Sequence, residues 1–221
     1  MVASQVAEMT RMQDEVITGI ANLIESRDGS TGLHVKNTQN YVQILTKALR
    51  EKGMYPDILD HNYELNTVKA SVLHDIGKIK TPDAILLKPG RLTDEEFEVM
   101  KQHTVAGCEI IDRIIGNVEH EEYVDIARKI ARYHHERWDG TGYPDGLSGE
   151  EIPLCARIMA LADVFDALYQ DRCYKKAIRP ASKVFEIIKE NSGSQFDPNL
   201  TEIFLELQRE ITCLLYTSPS P

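Results

Sequence analysis

The chain has 221 residues with 25 Lys and Arg against 35 Asp and Glu, a formal charge of −10, and 42% hydrophobic and 27% charged residues. That length can bury a core without disulfides or a structural metal, and the acidic balance excludes a broad surface for duplex nucleic acid, which needs clustered cations. No run approaches the roughly 18 apolar residues of a membrane span. No signal-peptide pattern opens the chain, and four scattered cysteines (Cys108, Cys155, Cys173, Cys213) form no CxxC pair, so a cytoplasmic protein is expected.

Apolar residues recur at helical spacing almost throughout, and strand alternation is hard to find, which predicts an all-α fold. Residues 1–27 form an N-terminal helix with the stripe Ile17, Ile20, Ala21 and Ile24. It reads either as an ordinary first core helix or as a connector or dimerising helix fed by an upstream sensor domain. A second helix covers Val35 to Glu51, and Leu65, Val68, Val72 and Ile76 make the stripe of a third. Thr93 with Glu96 is a capping box opening a helix that runs to about Ile115. Glu121 to His135 is helical; the insert Asp139 to Gly149 then places four Gly and one Pro between helices. Further helices cover Pro153 to Tyr169, a segment with Pro180 in its first turn, and Asn199 to Glu210. The last nine residues, Cys213 to Pro221 (CLLYTSPSP), are similar to the translation of a sequencing-library adapter. They are expected to be non-native and unpacked, with the natural chain continuing past Thr212.

Five of the seven histidines fall where helical periodicity asks for an apolar residue or where a helix ends. His134 continues the row Tyr123, Ile126, Ala127, Ile130 and Ala131; His103 shares a row with Met100, Ala106, Ile110 and Ile114. Asp163 stands within the apolar run Ile158 to Phe165, where an unpaired carboxylate carries a heavy desolvation cost, so a partner cation is implied. With His74-Asp75 closing another apolar helix and the doublet His134-His135, independent hydrogen-bonded core groups become a poor joint explanation. Mixed imidazole and carboxylate sets suit iron, manganese or another transition ion. His61 and His120 lie in polar stretches and read as solvated.

Five blocks carry these residues in order: HDIGK (His74 to Lys78), PDAILLKPGRL (Pro82 to Leu92), HHERWDGTGYP (His134 to Pro144), ADVFDAL (Ala162 to Leu168) and DRCYKKA (Asp171 to Ala177). Together they resemble the HD-GYP family of bacterial metal-dependent phosphodiesterases, a branch of the HD-domain superfamily, over about residues 17–210. The resemblance implies an all-α HD-domain helical bundle with a metal centre and a GYP loop, hydrolysing cyclic di-GMP to pGpG, with slower conversion to GMP. It makes His74, Asp75, His103, His134, His135 and Asp163 metal ligands, with Asp75 bridging two divalent transition ions, iron or manganese. Such a pair lowers the pKa of water and neutralises phosphoryl oxygens during in-line attack. The resemblance further implies that Lys78, Arg172 and Lys175 contact phosphate, and that Tyr143 abuts a guanine.

Two departures from the family pattern matter. Members holding a third metal have an acid four positions before the histidine corresponding to His34, and here Ser30 stands there. A third ion, with His34 as its ligand, is therefore not expected, and a two-metal centre is. Cys173 replaces the proline of the family's DRPY block. The partners implied are cyclic di-GMP, diguanylate cyclase proteins or an upstream sensor or receiver domain, and a second copy in a homodimer. Two alternatives stay open: a catalytically weak HD-GYP signalling module that binds partner proteins, and an HD phosphohydrolase acting on another nucleotide.

Overall fold

A computed structural model describes residues 2–28, 33–116, 121–170 and 177–217. Ten α-helices lie among them: α1 (Val2–Glu25), α2 (His34–Glu51), α3 (His61–Ala70), α4 (Asp83–Leu86), α5 (Asp94–Ile115), α6 (Glu121–Tyr133), α7 (Leu154–Tyr169), α8 (Ala181–Glu190), α9 (Pro198–Glu206) and α10 (Gln208–Thr217). Among the described residues there is no strand beyond an isolated bridge between Ser192 and Phe196, so the all-α expectation holds. No helix there is long and apolar enough to cross a membrane.

The bundle is arranged around α7, whose residues Leu154 to Asp163 are buried without interruption. A helix apolar on every side has to be surrounded, and α2, α6, α8 and α9 pack around this one. Phe165 sits among Tyr41, Phe185 and Phe204, with ring centroids 4.8–5.4 Å apart. At one end of the bundle Arg157 pairs with the buried Asp197 at 2.7 Å, while the other Asp197 oxygen caps the start of α9. The capping box at Thr93 is present in both directions.

Several sequence expectations are corrected. The stripe through Leu65 and Ile76 is not one helix: α3 ends at Ala70, 3-10 turns follow at Ser71–Leu73 and Ile76–Lys80, and Leu65 is exposed. Ile20 and Ile114 are also exposed, because each lies at the border of a stripe whose centre meets the core. α6 stops at Tyr133, so the His doublet lies just beyond its last turn. Asn199 to Glu210 is divided at Leu207 into α9 and α10. The expected unpacked tail is helical to Thr217, with Leu215 against the core; residues 218–221 lie outside the described set. Along α1, Met9, Met12, Val16 and Leu23 are exposed, whereas Ala21 and Ile24 enter the core.

The break after Ala70 lets the His74–Lys78 segment press against α5. A Cβ placed on Gly77 would stand 1.8 Å from the carbonyl oxygen of His103 and 2.5 Å from the amide nitrogen of Gly107. Only a residue without a side chain allows this approach, which brings Asp75 beside His103. Gly77→Ala is therefore expected to cost about 3 kcal/mol as the backbones are forced apart, and to lower metal content. Denaturant midpoints and elemental analysis check it; a wild-type midpoint would reject the close-packing argument.

Candidate metal centre

Four histidines of the cluster, His34, His74, His103 and His134, are aimed by what their Nδ1 atoms do. His74 Nδ1 donates to the Ser71 carbonyl at 2.9 Å, His103 Nδ1 to the Met100 carbonyl at 2.7 Å, and His134 Nδ1 to the Ile130 and Ala131 carbonyls at 2.9 and 3.1 Å. A carbonyl only accepts, so these contacts place the hydrogen on Nδ1 and turn Nε2 inward. His34 opens α2 and is held instead by Asp166, 2.7 Å from its Nδ1. Asp166 also accepts from Asn37 at 3.1 Å and from the Tyr41 hydroxyl at 3.4 Å, and is fully buried.

The four Nε2 atoms of His34, His74, His103 and His134 are buried and make no hydrogen bond among the described residues, and neither does Asp75 Oδ1. Each nitrogen faces a carboxylate at a distance too long for a strong hydrogen bond. His103 and His134 stand 3.3 and 3.7 Å from Asp75 Oδ1, His74 stands 3.3 Å from Asp75 Oδ2, and His34 stands 3.4 Å from Asp163 Oδ1. Lone pairs and carboxylate oxygens facing one another across such gaps fit divalent ions as the missing partners.

Two donor sets result. Asp75, His103, His134 and His135 form one, and Glu25, His34, His74 and Asp75 the other; within each set, ligand atoms lie no more than 4.8 Å apart. Asp75 belongs to both, with one oxygen toward each. Asp163, 4.0 Å from His74 Nε2, adjoins the second.

The electrostatics of the two sets differ. In the first, burial pushes His103 down to about 4, and burial together with His134 and His103 holds His135 well below the usual imidazole range. Both are neutral donors. In the second, burial pulls His34 down, but Asp163 and Asp166 outweigh it and push the pKa up to about 10. Asp75 and Asp163 are held far below the usual carboxylate range: burial opposes this, while Lys78 and His74 act on the first and His34 and His74 on the second. The carboxylates of the second set thus call for positive charge, whether proton or metal ion.

The cluster forms the floor of a cleft of about 290 Å³ lined by Lys78, Lys88, Phe97, Met100 and Tyr143 among others. Tyr143 leans on His135 with centroids 4.8 Å apart and meets Phe97 edge-on at 5.9 Å. Its loop hangs from Glu136, whose buried carboxylate accepts from the backbone amides of Asp145, Gly146 and Leu147 at 2.8–3.1 Å. Gly142 is needed there, since a Cβ would meet the Arg137 amide nitrogen at 2.4 Å.

All seven candidate ligands named from the sequence converge here, His34 included, and Lys78 and Tyr143 reach the same cleft. Arg172, Lys175, Cys173, Ser30 and His120 lie outside the described residues; His61 is exposed. Sequence reading missed Glu25, Asp166, Glu136 and Lys88. Of these, Lys88, Glu136 and Asp166 each offered a signal, standing in the PDAILLKPGRL, HHERWDGTGYP and ADVFDAL blocks, whereas Glu25 lies outside them all.

The family model described as HD domain matches residues 20–200. A cyclic di-GMP phosphodiesterase of Vibrio cholerae is 44% identical over 94% of this chain and 42% of its own length; one from Thermotoga maritima is 41% identical over 90% and 50%. The chain thus spans half or less of these relatives. Among solved structures, a cyclic GMP-AMP specific phosphodiesterase of V. cholerae superposes with a TM-score of 0.62 at 18% identity, over 91% of this chain and 51% of that one. The chain belongs to the HD domain family, and its HDIGK and HHERWDGTGYP blocks are those of the HD-GYP branch.

Proposed function

We propose that this chain, with 17–210 as its functional unit, hydrolyses cyclic di-GMP to linear pGpG in the cytoplasm. The observation that carries this reading is Asp75, shared between two imidazole-rich donor sets at the floor of a cleft. The names printed for its relatives from V. cholerae and T. maritima support the substrate, and the free thiols of Cys108 and Cys155 support a reducing compartment. His103, His134 and His135 would hold one ion, His34, His74 and Asp163 a second, and Asp75 both. Mixed nitrogen and oxygen donors favour iron or manganese. Two such ions lower the pKa of water and neutralise phosphoryl oxygens.

The chain's own residues bind and orient. Tyr143 gives the cleft an aromatic wall for a guanine, backed by Phe97. Lys78 and Lys88 line the cleft in which a phosphate would lie, with Arg172 and Lys175 proposed to join them. Water adds at phosphorus, one 3′ oxygen leaves, and the ring opens. That every position of the two-ion centre is filled and converges supports hydrolysis over a module that only binds partners.

Protein loaded anaerobically with Fe(II) or Mn(II) is expected to turn cyclic di-GMP into pGpG faster than it turns over other cyclic dinucleotides. Faster turnover of 3′3′-cGAMP would move the specificity, and no turnover would reject the reading. Asp75→Ala is expected to leave less than a tenth of the turnover and little bound metal at unchanged helical content. Retained activity would remove Asp75 from the bridging role.

We also propose that α1 pairs with the same helix of a second copy. The exposed residues Met9, Met12, Val16, Ile20 and Leu23 recur at the three- and four-residue steps of a two-helix seam, on a side distinct from the core-facing Ala21 and Ile24. Val16→Glu is expected to shift the sedimentation of a dimer to that of a monomer without altering the melting temperature by more than a few degrees. A wild-type chain that sediments as a monomer at high micromolar concentration rejects the pairing.

A further inference from the structure

Lys78 was expected on the substrate, but its ammonium is elsewhere. Its Nζ lies 2.6 Å from Asp75 Oδ2 and 3.3 Å from Glu25 Oε1. Both carboxylates belong to the second donor set, where the buried Nε2 atoms of His34 and His74 make no hydrogen bond among the described residues. Glu25 comes from the last residue of α1, is only 2% exposed, and is carried to this place by Arg27. The Arg27 guanidinium donates to the Ile79 and Thr81 carbonyls at 3.2 and 3.3 Å and to Asp83 at 2.6 Å, lashing the end of α1 to the turn that bears Lys78.

We propose that Glu25 is a ligand of the ion in the second donor set, and that Lys78 holds the place of that ion until it binds. This rests on the metal-centre reading above and deepens it. Glu25 stands nine residues before His34, and so is distinct from the family's third-metal acid, whose position four residues before His34 is Ser30 here. An ammonium and a divalent ion cannot share the same two carboxylates in a water-poor site, because their repulsion is weakly screened there. Ion entry therefore expels Lys78 from Asp75 and Glu25. The four-carbon stem then turns the ammonium into the cleft that it already lines, where a phosphate of the substrate would lie. Metal loading and the arming of a phosphate-binding cation become one event, and a chain lacking the second ion keeps its lysine turned away from substrate.

The test is a titration of chelator-stripped protein with Co(II), followed by ligand-field absorption and elemental analysis. Wild type is expected to bind two ions in separable steps. Glu25→Gln keeps the first step and weakens the second by about tenfold or more, the scale on which loss of groups supporting a metal is felt. Lys78→Met does the opposite, tightening the second ion by about tenfold because no ammonium has to leave. The double variant loses that gain. Should Glu25→Gln fail to fold, the Lys78→Met titration still decides. A Glu25→Gln protein that binds both ions like wild type, or a Lys78→Met protein whose second ion is no tighter, overturns the inference while leaving the metal centre intact. Wild type that binds no Co(II) overturns the metal centre itself.

Discussion

The buried carboxylate of Asp75 is the constraint around which the molecule is organised. An acid 6% exposed and held ionised must be met by positive charge, and removing one partner from such a group costs several kilocalories, on the order of 3–5 kcal/mol. Lys78 and His74 supply that charge from the 3-10 region, while the Nε2 atoms of His103 from α5 and His134 from beyond α6 face the same carboxylate. Glu25, Asp163 and Asp166 add further buried acids within the same few ångströms. That concentration of buried negative charge is the arrangement in which divalent ions add most.

How the imidazoles are aimed divides them into two kinds. His74, His103 and His134 bond through Nδ1 to carbonyls three or four residues earlier, so the local backbone turn alone sets the ring. His34 opens α2 and has no helical turn before it, so its orientation is supplied from across the core by Asp166. Three of these rings are thus oriented by secondary structure and that of His34 by tertiary structure. The second donor set, which contains His34 and takes Glu25 from α1, depends on the packing of three separate helices. The first relies mainly on the α5–α6 pair and the Gly77 contact.

This division also explains what was legible in the sequence. His103, His134 and Asp163 were readable because a polar residue on an apolar helical row is an anomaly visible in one dimension, and all three are buried where the rows place them. Glu25 was not, because it lies beside Ser26, Arg27 and Asp28 in a stretch that looks solvated; only the Arg27 contacts bring it inward. Asp166 lies one turn beyond Asp163 on α7, and its partner His34 is 132 residues away. The break between α3 and the 3-10 turns was invisible because apolar residues keep helical spacing through it. What betrays the break is Gly77, and its meaning requires knowing that α5 crosses there.

The cleft joins two parts built on different principles. Its floor is fixed by helix packing and by carboxylates whose displacement would strand buried charge. Its aromatic wall is Tyr143, presented by a loop whose shape rests on three amides converging on the carboxylate of Glu136. A loop hung from one side chain accepts changes of sequence that a floor of buried, interlocked side chains does not. Floor and wall are therefore separable in this architecture: the two donor sets rest on helix packing, while the aromatic wall rests on a loop that is free to vary. Tyr143 leans on His135 where the two parts touch, so a change in the wall is felt first by a residue of the first donor set.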